Sequence, residues 1–238
     1  MNPALVAACA AGAGVAGLLV PWLVRRLPEP ERDESAEGEP SKPLYADLGA
    51  RPGLAWKSAL ASAVGAALVA ASVGNDWWLV VLVPLVPVCV ALSFIDWHTR
   101  LLPAVIVLPA TAYAVLAGLA GWPLTGDPDD LVRAALGLVI ARSVYWLLWF
   151  IHSAGMGFGD VRLAALLGFA LGHVGWGEFG VGMYAGFLVF GVPGLVLALL
   201  RWDRTLLKTA YPFGPFMILG ALLGLLVGAA VADYLVGG

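Results

Sequence analysis

The chain has 238 residues, of which 61% are hydrophobic and 12% are charged, and its formal net charge at pH 7 is −3. Soluble domains carry about 25% charged residues, so this chain has too few polar groups to cover a globular surface. We therefore expect the lipid bilayer to be its solvent. The negative net charge gives no electrostatic basis for binding nucleic acid, and we expect no such partner.

Eight stretches of the chain are apolar and long enough to be candidate membrane helices. The sixth stretch is the weakest candidate, because it is short and contains His173. No long strand-like alternation occurs, so a barrel is not expected. We predict an all-α, polytopic membrane bundle of about eight transmembrane helices. The stretches lie at about 4–24, 58–74, 77–95, 103–122, 132–151, 161–176, 179–200 and 212–232.

The basic residues predict how the chain is oriented. Counted from an outside N-terminus, all of the 13 basic residues except Arg133 and Arg142 fall in segments on the inner side. Because positive charge is retained on the cytoplasmic side, both termini are predicted to lie outside the inner membrane. Arg142 lies in the middle of the fifth stretch, where we expect it to face the bundle interior and to form a structural pair.

One long loop, residues 25–57, interrupts the apolar pattern. It is rich in proline and glutamate, which predicts a solvated cytoplasmic tether. We therefore divide the chain into residues 1–57, a first span with its loop, and residues 58–238, the membrane core. Cys9 and Cys89 lie in apolar runs without a nearby Cys or His partner, so we expect no metal site and no disulfide framework.

Two aspartates stand at the ends of apolar stretches. Asp96 follows one apolar run, and Asp160 ends the glycine-rich segment 155–160, which reads Gly-Met-Gly-Phe-Gly-Asp. The predicted topology places both at the cytoplasmic side, so they could meet across a cleft. Two close carboxylates share a proton, which makes one an acid and the other a base. Such a pair can activate a water molecule and protonate an amide leaving group.

Other interpretations of these aspartates stay open at this point. They could simply mark the ends of membrane spans. A small proton-coupled transporter or channel would also use buried carboxylates and glycine-broken helices. The alternating glycines before Asp160 permit unusual backbone conformations and close approach of a second chain, and an unwound backbone at membrane depth must line protein or a water-filled cavity. These features suit a peptidase, but a single Gly-x-Gly-Asp is a weak pattern.

Several segments together resemble the type IV prepilin peptidases, a family of aspartic membrane peptidases. Segment 155–163 resembles the family's GxGD signature, with Arg162 where lysine is usual. Segment 95–103 resembles the first catalytic-aspartate motif, in which Leu-Pro follows six and seven residues after the aspartate. Segment 211–216 is similar to the PFGPF near the last span, and segment 24–28 to the RLP that ends the first. The four matches occur in family order.

The resemblance implies a function and a set of site residues. Members remove the basic leader of prepilins and pseudopilins at the cytoplasmic membrane face, with water as the nucleophile and no metal or cofactor for that step. A catalytically dead relative is disfavoured, because both aspartates are present. The implied catalytic pair is Asp96 and Asp160, with supporting positions at Gly157, Gly159, Pro212 and Gly214.

The same resemblance bears on methylation. Bifunctional members of the family also methylate the new N-terminus, and their first cytoplasmic loop commonly holds two CxxC pairs suited to zinc. Residues 25–57 contain no cysteine. We therefore expect no zinc site, no cofactor, and peptidase activity without N-methyltransferase activity. The expected partners are a prepilin or pseudopilin substrate and the lipid bilayer.

Overall fold

The computed structural model describes residues 2–29, 43–126, 128–151, 156–201 and 212–236, and within these ranges it contains helices and no strands. An all-α fold is therefore confirmed. The helices are α1 (Pro3–Gly17), α2 (Val20–Arg25), α3 (Tyr45–Gly49), α4 (Leu54–Val73), α5 (Leu79–Thr99), α6 (Ala104–Thr125), α7 (Asp129–Ile151), α8 (Phe158–Val174), α9 (Trp176–Arg201) and α10 (Gly214–Val236).

The number of membrane spans differs from the predicted eight. Within the described part of the chain, six segments are long and apolar enough to cross a bilayer: α1 together with α2, then α4, α5, α6, α7 and α10. Helix α8 has 17 residues, a length of about 26 Å, which is shorter than a hydrocarbon core of about 30 Å. The multi-pass character is confirmed, whereas eight spans are not.

The outer faces of these helices carry apolar side chains that no other part of the chain covers. Val80, Leu116 and Ile151 are each more than 60% exposed. Water-soluble proteins rarely expose such extensive apolar surface, so these faces fit a lipid environment. Arg142 is also exposed on α7, and the prediction that it faces the bundle interior is wrong.

Helix α8 is the centre of the bundle. Thirteen of its 17 residues are buried, and it packs against α6, α7, α9 and α10. Its closest neighbour is α7, where Gly137 faces Gly168 and Gly172 so tightly that an added Cβ would meet backbone atoms. Small residues allow membrane helices to approach in this way. The close packing fixes the position of Asp160 at the start of α8.

The described end of the 25–57 loop is folded rather than solvated. Helix α3 packs against α2, and its Tyr45 and Leu48 are buried. The Glu29 carboxylate accepts hydrogen bonds from the backbone N–H groups of Tyr45 and Ala46 at 2.9 and 3.0 Å, which caps the helix N-terminus. The tether prediction is therefore wrong for this part, and residues 30–42 lie outside the described ranges.

A second contact ties the same loop to the first span. The Arg25 Nε–H donates a 3.0 Å hydrogen bond to the carbonyl of Gly49, the last residue of α3. Helix α4 then begins at Leu54, so the proposed boundary after residue 57 falls inside its first turn. Helix α1 packs against α4, and the Ser58 hydroxyl donates to the Gly17 carbonyl at 2.8 Å.

Candidate active site

Asp96 is held at the end of helix α5. It is 4% exposed and lies one turn before Arg100, which has a left-handed backbone with φ 55°. The Arg100 N–H donates to the Asp96 carbonyl at 2.8 Å, which closes the last turn. The left-handed residue then turns the chain sharply toward Leu102 and the start of α6.

Asp160 is the third residue of helix α8 and is 6% exposed. Its Oδ2 atom accepts a 3.0 Å hydrogen bond from the Gly157 N–H, which is one half of a capping box. A carboxylate in the first turn of a helix also interacts favourably with the helix dipole. The backbone of the glycine-rich segment therefore positions the Asp160 side chain at the N-terminal end of α8, the most buried helix.

A third helix end completes the arrangement. Helix α10 begins at Gly214, whose N–H donates a 2.9 Å hydrogen bond to Oδ2 of Asp96. A Cβ at residue 214 would lie 2.9 Å from the same oxygen, so only glycine lets the backbone come this close without displacing the carboxylate. Pro212 and Phe213 are buried just ahead of it. The starts of α8 and α10 thus each present one backbone amide to one aspartate.

The starts of α8 and α10, which hold the two aspartates, pack against the same residue of the Asp96 motif. Leu102 lies between the two glycine segments, because a Cβ at Gly159 would fall 2.7 Å from the Leu102 Cβ and one at Gly214 would fall 3.3 Å from its Cδ1 atom. The structure therefore brings together three of the four motif segments that the sequence analysis identified.

Comparison with known proteins identifies the family of this chain. A sequence model of the type IV leader peptidase family matches residues 83–232, well over half of the chain, and that region includes Asp96 and Asp160. The chain belongs to the type IV leader peptidase family. No solved structure matches it.

Several curated relatives are named prepilin leader peptidase/N-methyltransferase. The protein from Pseudomonas putida is 36% identical over 151 residues, which cover 62% of this chain and 50% of that protein. The protein from Aeromonas salmonicida is 31% identical over 178 residues, covering 74% and 58%, and that from Pseudomonas aeruginosa is 33% identical over 170 residues, covering 71% and 57%. The chain thus matches only about half to three fifths of each relative's length.

The two glycines next to the second aspartate of this leader peptidase family member have different roles. Gly159 is required by close approach to Leu102. Gly157 has an extended backbone with φ −75° and ψ 150°, which any residue can adopt, and a Cβ there would make only an ordinary 3.6 Å contact with the Asp160 carboxylate. The contribution of Gly157 is its amide, whereas that of Gly159 is its lack of a side chain.

Two residues that line the site carried no predicted role. Leu102 belongs to the Leu-Pro pair of the first motif, but the motif predicts no role for its side chain. Tyr145 on α7 is 1% exposed, and its ring lies 6.2 Å from that of Phe213 and 5.3 Å from that of Phe187. No sequence motif marks Tyr145, because its place depends on how α7 packs against α8.

Among the described residues, no group of three or more His, Cys, Asp or Glu side chains could hold a metal ion. Two carboxylates with one backbone donor each are instead suited to proton transfer, because one can hold a proton while the other accepts one.

Proposed function

We propose that this chain is an aspartic endopeptidase that removes the basic leader of prepilins or pseudopilins at the cytoplasmic face of the inner membrane. One observation carries the proposal. Asp96 and Asp160, the two aspartates of the family's motifs, are buried at the ends of different helices, and Gly159 and Gly214, which adjoin Asp160 and bond Asp96, both pack against Leu102. The curated relatives' printed names support the same reaction and substrate class. They favour it over a proton-coupled transporter.

The geometry suggests how the reaction proceeds. The aspartate pair holds one proton, and the ionised partner takes a proton from a water molecule as that water attacks the scissile carbonyl. The protonated partner then donates its proton to the amide nitrogen that leaves. The Gly157 and Gly214 amides each hold one oxygen of one carboxylate, which restrains both carboxylates before substrate binds.

An apolar groove beside the pair offers a place for the substrate. A groove of about 380 Å³ lies between α4, α5, α8 and α10. Ser93, one turn from Asp96, and Pro215, next to Gly214, line its near end. A prepilin continues from its cleavage site into a hydrophobic helix. We assign that helix to this groove because the groove is apolar and because Ser93 and Pro215, which line it, lie close in sequence to Asp96 and Gly214.

Filling the groove tests this assignment. Ala61→Trp, at a position that lines the groove, is expected to raise KM for prepilin cleavage about 10-fold while leaving kcat within two-fold. Leu60→Trp is the matched control, since Leu60 is on the same helix but is 57% exposed and outside the groove lining. An equal effect of both variants would contradict the assignment.

The peptidase proposal itself is tested with purified protein and a prepilin. Wild type should remove the leader, and Asp96→Asn and Asp160→Asn should each abolish cleavage while the protein remains expressed and folded. Asp233→Asn, at an exposed position near the far end of α10, is a control with the same loss of charge and should cleave normally. Cleavage that survives both active-site substitutions would refute the mechanism.

We further propose that the product is not methylated by this chain. The curated relatives are named as methyltransferases as well as peptidases, but residues 25–57 lack the cysteine pairs that a zinc-binding loop would use. Mass spectrometry of pilin cleaved in the presence of S-adenosylmethionine should show a free amino terminus. An added methyl group that depends on this protein would contradict the proposal.

We also propose that both termini lie outside the inner membrane, because most of the positive charges fall on loops of the cytoplasmic side. Single cysteines introduced near the two termini should react with a membrane-impermeant thiol reagent in intact spheroplasts. Protection of either terminus until the membrane is opened would contradict the orientation.

A further inference from the structure

The Tyr145 hydroxyl is a buried polar group without a hydrogen-bond partner. It is one of only two such buried side-chain atoms among the described residues, the other being the Ser62 hydroxyl. An unsatisfied buried hydroxyl is unfavourable for folding, so each such group in a native protein requires an explanation, and a catalytic role is one of them. Tyr145 is 1% exposed, so bulk water does not satisfy it either.

The packing of α7 against α8 places this hydroxyl near the second aspartate. Gly137 of α7 faces Gly168 of α8, and the Arg133 carbonyl faces Gly172. These two antiparallel pairs are four residues apart on each helix. Continuing the register eight residues beyond Gly137 on α7, and eight residues back from Gly168 on α8, brings Tyr145 opposite Asp160.

The ring of Tyr145 is held in place by aromatic neighbours from two other helical segments. Its centroid lies 6.2 Å from that of Phe213, directly ahead of α10, and 5.3 Å from that of Phe187 on α9. Phe213 is in turn 5.1 Å from Phe187 and 5.2 Å from Phe190. Because the ring is fixed on several sides, the hydroxyl has a defined position relative to both aspartate segments.

We infer that Tyr145 is a positioning residue of the active site, whose hydroxyl donates a hydrogen bond to the Asp160 carboxylate when substrate is bound. The inference rests on the proposed peptidase function. The Asp160 carboxylate already accepts a hydrogen bond from the Gly157 amide at 3.0 Å. A second donor would fix the orientation of this carboxylate relative to the substrate. A donor that is unpaired in the resting enzyme is suited to this role, because catalytic hydrogen bonds often form fully only in the complex with substrate.

The test compares two tyrosine-to-phenylalanine variants of the full-length protein. Tyr145→Phe is expected to lower kcat for prepilin cleavage about 10- to 100-fold, with KM within two-fold of wild type. Its thermal unfolding midpoint should be equal to or above that of wild type, because the lost hydroxyl has no partner in the resting state. The control is Tyr113→Phe, whose hydroxyl bonds the Val80 carbonyl at 2.6 Å, away from the site; its kcat should not change.

A hydroxyl-retaining analogue provides a second measurement. Incorporation of 3-fluorotyrosine at position 145 should keep kcat within about three-fold of wild type, because size and donor are preserved. A normal kcat for Tyr145→Phe would overturn the inference, and so would a fall in the unfolding midpoint that accounts for the lost activity. If Asp160→Asn is inactive while Tyr145→Phe is fully active, the peptidase function stands and only the role of Tyr145 fails. If Asp160→Asn cleaves normally, the proposed function fails first.

Discussion

The two ends of helix α8 use polar groups in opposite ways. At its C-terminal end, Arg133 donates to the carbonyls of Gly172 and His173, each at 2.7 Å, and pairs with Asp130 at 2.6 Å. The ring of His173 stacks on Trp78 with centroids 3.7 Å apart. At this end the polar groups are bonded to one another and close the helix terminus.

The N-terminal end is arranged differently. Asp160 and Asp96 are buried, each with a hydrogen bond from one backbone amide, and no cation pairs with either of them in the part of the chain that the structure describes. Tyr145 adds a hydroxyl without a partner. Burying such groups opposes folding, so the end with Asp160 is organised for reaction and the end with His173 for stability. Substitutions at the two ends should therefore separate activity from stability.

The largest expected effect distinguishes two glycines at the reactive end. Gly159→Ala should lower the rate of leader cleavage about 100-fold or more, because its Cβ would lie 2.7 Å from that of Leu102 and displacement of Asp160 follows. Gly157→Ala should stay within about five-fold, since its Cβ has room and the amide is retained. The two rates are measured side by side with one prepilin. Equal losses would show that the segment acts as a flexible loop and not by close packing.

An intermediate effect is expected where α10 meets Asp96. In Gly214→Ala the new Cβ would be 2.9 Å from the Asp96 Oδ2 atom, so the carboxylate or the amide must shift by a few tenths of an ångström. We expect kcat to fall about 10-fold with little change in the unfolding midpoint. A substitution at Gly220, where an added Cβ would meet the backbone of Gly186, should instead lower stability. A reversed pattern would contradict the division between the two kinds of glycine.

The smallest effect on activity belongs to the stabilising end. Arg133→Gln removes charge-assisted hydrogen bonds to the end of α8, each of which contributes about 1.5–3 kcal/mol. The free energy of unfolding in detergent should fall by about 2 kcal/mol, while kcat of the folded fraction stays within two-fold. Arg142→Gln, an exposed position on the same helix, is the control and should change neither quantity. A loss of kcat without loss of stability in Arg133→Gln would contradict this division, because it would show that the His173 end of α8 also contributes to catalysis.

Much of the site could be predicted because its residues occupy short, contiguous motifs. Asp96, Asp160 and Gly214 each lie within a recognisable segment, and the apolar stretches predicted where the helices fall. Tyr145 could not be predicted in this way, because its relation to Asp160 depends on the register of two packed helices. Helix α3 was missed for a similar reason. Its stability comes from Glu29 and Arg25, which lie outside the helix itself.

The structure identifies six spans in the described residues and does not confirm eight, for a physical reason that also concerns the site. Apolar composition alone could not distinguish a lipid-facing helix from one buried within the protein. Helix α8 is apolar because other helices surround it. With 17 residues, it is at the short end of the range for membrane helices.

The central claim is that Asp96 and Asp160, from distant parts of the chain, face one pocket. The most direct measurement is cross-linking of the Asp96→Cys/Asp160→Cys double variant by a short bifunctional thiol reagent, in a background with Cys9 and Cys89 replaced by alanine. We expect an intramolecular cross-link in this pair and none in an Asp160→Cys/Asp233→Cys pair. Failure to link positions 96 and 160, although each single cysteine reacts, would contradict it.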